Sequence, residues 1–248
     1  VISDLKEAAN PNFTFAFQPI VDATARKTVS YEALVRGLNN EPASEVIQGI
    51  SAAGRFEFDW QARVEAIRLA AHLQIPCLLN LNFMPQSFFT VPESMVSTLE
   101  AANRAGLDAS RMVLEVVEGE LISSPSEFIE ILNQYRAMGL KVAIDDFGAG
   151  YSGLNLLAEF QPDQVKLDMQ LIRGIERHGP RQAIVRAIRQ ICLDLGIELI
   201  AEGVETREEY SWLKNQGIHL FQGYLFARPG FQSLPAAKFS EALSMHAA

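Results

Sequence analysis

Carboxylates and carboxamides recur in this chain at or near the ends of short apolar runs. Glu32 lies in Thr28–Val35, Asn80 and Asn82 in Leu78–Asn82, and Glu115 in Met112–Val117. Asp145 closes Lys141–Asp145 and Asp146 follows it, Lys166 and Asp168 lie in Gln164–Asp168, and Glu202 follows Glu198–Ala201. Taken singly, each has a plainer reading. Glu32 suits the wet face of an alternating strand, Asp145–Asp146 suits a helix cap and turn, and Lys166 suits a solvated charge. Their recurrence on successive runs is what those readings leave unexplained. So many polar groups converging on one place would be costly to bury unpaired. A divalent cation removes that cost, and an oxygen-rich donor set selects hard ions such as Mg2+ or Mn2+. Asn80 and Asn82 are two apart and share a strand face. Asn82, nearer the end and before Pro85, is the expected ligand, and Asn80 the expected structural hydrogen-bonder. Softer metals are not indicated, because His72, His178, His219 and His246 form no close pair and Cys77 and Cys192 lie far apart.

The elements that must carry these residues alternate along the chain. Strand patterns cover Phe13–Ile20, Thr28–Val35, Leu78–Asn82, Met112–Val117, Lys141–Asp145, Gln164–Asp168, Glu198–Ala201 and His219–Tyr224. Amphipathic helical patterns cover Phe58–His72, Glu93–Ala105, Pro125–Met138, Gly153–Phe160, Arg181–Leu195 and Thr206–Gln216, with Gly106, Gly139, Gly196 and Gly217 marking exits. Eight strands with helices between most of them, in 248 residues, predict a TIM-like (β/α)8 barrel. Val21–Lys27 is too short for a crossover helix, so the first two strands are expected antiparallel and the barrel irregular. A doubly wound open sheet is the competing architecture. Barrel chemistry sits at the C-terminal ends of the strands, which is where the carboxylates fall.

Hydrophobic residues make up 48% and charged residues 21%, which excludes general disorder. A net charge of −9 speaks against a grip on duplex DNA or RNA or on an anionic membrane. No apolar run of ~18 residues and no secretory leader pattern is present. Two separated thiols in apolar stretches suit a reducing cytoplasm. A chain opening at Val1 is expected to be one domain, residues 1–248, cut from a longer protein whose other parts could reach a membrane.

Glu32-Ala33-Leu34-Val35-Arg36 resembles the signature of the EAL family, bacterial phosphodiesterases acting on cyclic di-GMP. The resemblance continues through Phe17-Gln18-Pro19-Ile20, Asn82-Phe83-Met84-Pro85, Glu115-Val116-Val117-Glu118 and Asp145–Ser152. It extends through Lys166-Leu167-Asp168, Ala201–Glu205, Gln222–Phe226 and Arg228-Pro229. The resemblance implies that Glu32, Asn82, Glu115 and Asp145 hold one metal ion. It implies that Asp145 and Asp146 bridge to a second, with Glu202 close by. Lys166 resembles the lysine that contacts the attacking water or the scissile phosphate, so Lys166, Glu202 and Asp146 carry the chemistry. Gln18, Leu34, Arg36, Gln222 and Pro229 match nucleotide-holding positions. Asp146–Gly153 matches a loop that completes the metal site and influences dimer contacts, with Glu118 anchoring it. Val117, Gly153 and Met84 stand where many members have Thr, Ser and Ser, and none of these departures removes a ligand.

The chemistry of the residues agrees with that family. A phosphodiester and this pocket are both anionic, and two metal ions would clamp the phosphate and activate a water. Lys166 supplies positive charge where negative charge accumulates, and Arg36 can fork onto a phosphate or a guanine edge. The expected activity is hydrolysis of cyclic di-GMP to linear pGpG with two Mg2+ or Mn2+ ions, in a homodimer. The alternatives are a receptor module that binds cyclic di-GMP without cutting it, and another metal-dependent barrel hydrolase. The latter would want histidine ligands, which only His219 is near enough to provide.

Overall fold

The first described element is a hairpin whose turn is built from one side chain. Asp22 ends β1 (Phe13–Asp22), and its Oδ1 accepts the backbone N–H groups of Thr24 and Ala25, both at 2.8 Å. Arg26 then takes a left-handed φ of 52° and the chain returns as β2 (Lys27–Gly37). The two strands are antiparallel from Phe13 opposite Gly37 to Asp22 opposite Lys27, and Gln18 faces Glu32 across the pair. This computed structural model describes residues 12–90, 93–118, 125–150 and 153–239.

From β2 onward each strand lies parallel to its successor. They are β3 (Leu78–Asn82), β4 (Met112–Val117), β5 (Lys141–Phe147), β6 (Gln164–Leu167), β7 (Glu198–Ala201) and β8 (Leu220–Phe221). β8 pairs antiparallel with β1, and β1 with β2, so eight strands close into a ring. The open doubly wound sheet is thereby excluded, and the barrel with an antiparallel first pair is the fold. A short β9 (Gly230–Phe231) pairs with Ala16 and Phe17, on the edge of β1 that β8 uses lower down.

Between β2 and β3 lie α1 (Ala43–Gln48) and α2 (Arg55–His72), and between β3 and β4 lie α3 (Pro85–Thr90) and α4 (Glu93–Arg104). They are followed by α5 (Pro125–Ala137), α6 (Gly153–Glu159), α7 (Met169–Ile172), α8 (Gly179–Leu195) and α9 (Arg207–Asn215). The short α1, α3 and α7 were not expected, because fewer than two turns show no periodicity. α9 starts on a capping box in which Thr206 and Glu209 bond each other's backbone. Beneath the polar mouth, Ile20, Ile200 and Leu220 form their own apolar cluster. Each lies two residues below a polar group, Gln18, Glu202 and Gln222 respectively, so alternation makes them the floor of the barrel.

The eighth strand departs from expectation. His219–Tyr224 reads as one strand, but only Leu220 and Phe221 join the ladder. The reason is a close crossing of two backbones. Val204 N–H donates to the Gln222 carbonyl at 3.0 Å, and Leu225 N–H donates to the Val204 carbonyl at 3.1 Å. At Gly223 a Cβ would stand 2.0 Å from the Val204 carbonyl oxygen, so only glycine permits the crossing. Gly223→Ala is therefore expected to cost more than about 2 kcal/mol in urea unfolding. Gly179→Ala, where a Cβ meets nothing within 4 Å, should change stability by less than about 0.5 kcal/mol. Equal stabilities for the two variants would refute the crossing as a constraint.

Candidate functional site at the barrel mouth

Lys166, on β6, is wholly buried at the centre of the mouth. Its Nζ lies 2.7 Å from Glu202, 2.8 Å from Glu115, 3.1 Å from Asp145 and 3.4 Å from Glu32. These are close ion pairs rather than aligned hydrogen bonds. Burial alone would pull the ammonium down, but Asp145, Glu115, Glu202 and Glu32 together hold it well above the ordinary lysine range. One ammonium cannot balance four carboxylates. Burial pushes the Glu115 carboxyl up to about 8, Lys166 opposing the rise and Glu32 and Asp145 adding to it. Burial likewise raises Glu202 well above the carboxylate range. It lifts Asp146 to about 6, with Asp145 and Asp168 contributing.

Regular strands alternate, so Asp145 and Asp146 should point to opposite faces. β5 avoids this with a bulge. From Ile144 to Phe147 it advances three residues while β6 advances two, from Val165 to Leu167. Asp146 takes a left-handed φ of 53°, which aspartate tolerates better than most residues. Asp145 Oδ1 accepts the Asp146 N–H at 2.9 Å. Carboxylate oxygens of Asp145, Asp146 and Glu202 then lie within 4.8 Å of one another, as do those of Glu32, Glu115 and Asp145. Asp145 belongs to both groups. Asn80 Nδ2 donates to Glu115 Oε1 at 2.8 Å, the structural role expected of it. Asn80 Oδ1 and Glu115 Oε2 are buried without a hydrogen-bond partner. Asn82 ends β3 at the exposed mouth, beside Glu115 in the ladder. An all-oxygen donor set, a shared aspartate and an orphaned carboxylate oxygen fit hard divalent cations.

Around the acids lies a rim of carboxamides. Gln222 Nε2 donates to Glu32 Oε2 at 2.6 Å and to Gln18 Oε1 at 3.3 Å, and Gln18 Nε2 donates to the Ala227 carbonyl at 3.2 Å. Arg36 is half-buried, and its Nη1 donates to the Val35 carbonyl at 2.7 Å rather than to any mouth carboxylate. Pro229 is half-buried in the segment between β8 and β9. Leu34 lines a cavity of about 450 Å³ that reaches Asn82, together with Met84, Asp59 and Arg63. Asp168 is not a strand residue. Its side chain accepts the Gln170 N–H at 2.8 Å and caps α7.

The loop after β5 converges on one buried carboxylate. Glu118 Oε2 accepts the N–H of Gly148 at 2.9 Å and of Gly150 at 3.2 Å, and Oε1 accepts that of Gly153 at 2.8 Å. Tyr151 and Ser152 of the expected loop lie outside the described residues. Two features escaped the sequence reading. One is the buried pair Asp59–Arg63 on α2, whose spacing of four reads as an ordinary helix-surface pair. The other is Glu209, which beyond its capping box accepts the N–H groups of Glu205 at 2.9 Å and Gly174 at 3.0 Å.

Residues 2–229 match the family described as EAL domain. The Escherichia coli Blue light- and temperature-regulated antirepressor BluF is 35% identical over 231 residues, 93% of this chain and 57% of its own length. The Pseudomonas aeruginosa protein named Cyclic di-GMP phosphodiesterase RocR is 41% identical over 123 residues, 50% of this chain and 31% of its own. The chain thus matches only part of each of these longer proteins. A standalone versatile EAL protein from Vibrio cholerae O395, in its c-di-GMP bound form, superposes with a TM-score of 0.89 at 44% identity, covering 94% of this chain and 99% of that one. Klebsiella pneumoniae BlrP1 in a manganese/cy-diGMP complex gives 0.89 at 39% identity, covering 94% and 59%.

Removing the central ammonium should expose the charge imbalance. In chelator, Lys166→Met is expected to lose about 3–5 kcal/mol, as when one partner of a buried ion pair is deleted. Millimolar Mn2+ should return most of that loss. Urea unfolding with and without the ion checks both halves, and a variant as stable in chelator as the parent would refute the account.

Proposed function

The chain belongs to the EAL domain family, and from that premise we propose that its barrel mouth hydrolyses cyclic di-GMP to linear pGpG. The observation that carries this reading is the pair of acid clusters sharing Asp145. Glu32, Asn82, Glu115 and Asp145 would hold one Mg2+ or Mn2+, and Asp145, Asp146 and Glu202 a second. When bound, such ions neutralise a phosphodiester and activate water toward it.

The protein's own groups do the rest. Water oxygen bonds to phosphorus, the bond from phosphorus to one ribose oxygen breaks, and that oxygen leaves with a proton. Glu202, at the edge of the cluster, orients the water. Lys166 sits where charge builds up in the transition state, and being fixed in place it costs no reorganisation there. Gln222 already bonds both Gln18 and Glu32, so the two glutamines hold the nucleotide and the metal-site acid as one unit. Leu34 and Pro229 offer apolar contact. Arg36 must give up only a carbonyl of its own strand to fork onto the ligand. Glu118 fixes the loop that follows Asp146. The same reading places the protein in the cytoplasm and makes it a homodimer, the latter to be checked by its mass in solution.

A second reading is supported by the 35% identity to a protein named an antirepressor. In it the mouth binds cyclic di-GMP without cutting it. Turnover separates the two. With Mn2+ or Mg2+, cyclic di-GMP should yield pGpG, and chelator should stop it. Outer partners of a metal site typically cost 10–100-fold when removed, so the shared ligand should cost more. Asp145→Asn is expected to lower kcat by more than about a hundredfold with the thermal midpoint in chelator retained. Binding in Ca2+ with no product in any ion would establish the receptor instead.

A further inference from the structure

We propose that the buried ion pair Asp59–Arg63 on α2 is the positioning device for Asn82, linking an outer helix to the metal site. The proposal rests on reading Asn82 as a metal ligand. Asn82 is the last residue of β3, and beyond it the chain leaves the sheet. Two backbone N–H groups follow. That of Phe83 donates to the Glu115 carbonyl at 2.9 Å, extending the register with β4. That of Met84 donates to Asp59 Oδ1 at 3.0 Å, across to α2. The backbone after Asn82 is therefore held from two sides, by the strand bearing one metal-site acid and by a helix outside the barrel.

Asp59 is itself fixed. Its other oxygen pairs with Arg63, one turn along the same helix, and both side chains are buried. Arg63 Nε donates to Thr98 Oγ1 of α4 at 3.2 Å. The guanidinium lies over the Phe83 ring, 5.0 Å from its centroid, and the same ring makes a T-shaped contact with Tyr135 of α5 at 5.4 Å. Arg63 thus grips the residue next to Asn82 while Asp59 grips the residue after it. Apolar packing cannot do this alone, because Asn82 and Met84 border the cavity of about 450 Å³ that Asp59 and Arg63 also line. Arg63 also leaves Nη2 buried without a partner, a cost that packing alone does not require.

The test compares Mn2+ affinity by calorimetry for the parent, Asn82→Ala, Asp59→Ala and the double variant, below every thermal midpoint. Asp59→Ala should weaken Mn2+ binding about ten- to a hundredfold, as outer partners of metal ligands do. The double variant should bind no worse than Asn82→Ala, because one residue acts through the other. Asp59→Asn unpairs Arg63 but keeps an acceptor for Met84. It should lose stability and weaken Mn2+ binding, though less than Asp59→Ala does, whereas a purely structural ion pair would leave both variants at the parent's affinity. Additive losses in the double variant overturn the proposal, as does an Asp59→Asn variant that loses as much affinity as Asn82→Ala, even where Asp59→Ala does not fold. If Asn82→Ala weakens binding and Asp59→Ala does not, the ligand reading stands and the proposal alone falls. If Asn82→Ala binds like the parent, the ligand reading falls and takes the proposal with it.

Discussion

The constraint on which this structure turns is an excess of negative charge inside a closed ring of strands. Four carboxylates lie within ion-pair distance of one ammonium. Such a cluster is tolerable only because the strands hold it rigidly and because protons or cations can supply the missing positive charge. The upward displacement of Glu115, Glu202 and Asp146 is the first of those responses. Binding a cation would be the second, and it would turn an electrostatic burden into affinity.

Several local irregularities of the fold shape the surroundings of that cluster. The β5 bulge turns two consecutive aspartates to one side. β8 stops early so that Gln222 and the segment after it can cross over Val204 and reach the mouth. Two buried glutamates, Glu118 and Glu209, each gather three backbone N–H groups from loops that follow mouth-bearing strands. A carboxylate suits this task, since it accepts several hydrogen bonds at once and strengthens each by its charge. Loops held this way are shaped by a few strong bonds instead of by packing.

Much of this was legible in the residues. β3, β4 and β7 have the boundaries their alternation predicts, and the short Val21–Lys27 link forced the antiparallel pair. Strand periodicity placed the acids on converging ends, and the family motifs added the rim residues and Glu118. The errors came where tertiary contacts overrule local pattern. The expected strand His219–Tyr224 leaves the ladder after Phe221 because of a backbone 18 residues earlier in sequence, at Val204 relative to Gln222. Asp168 has the look of a strand end but spends its carboxylate on a helix too short to show in the pattern. Asp59 and Arg63 have ordinary helix spacing, and only burial separates them from a surface pair.

The place of β1 in the ring has a consequence for how the chain is made. One edge of β1 is taken at once by β2, but the other waits for Ala16 and Phe17 to meet Phe231 and Gly230. The Tyr31 hydroxyl bonds the Pro235 carbonyl across 204 residues, and Gln18 bonds Ala227 across 209. Contacts this distant carry a large loop-closure cost and form late. During synthesis the first hairpin therefore emerges with an unpaired, largely apolar edge, open to wrong partners until the end of the barrel leaves the ribosome. The strand that seals the finished barrel is thus open to aggregation before the barrel closes.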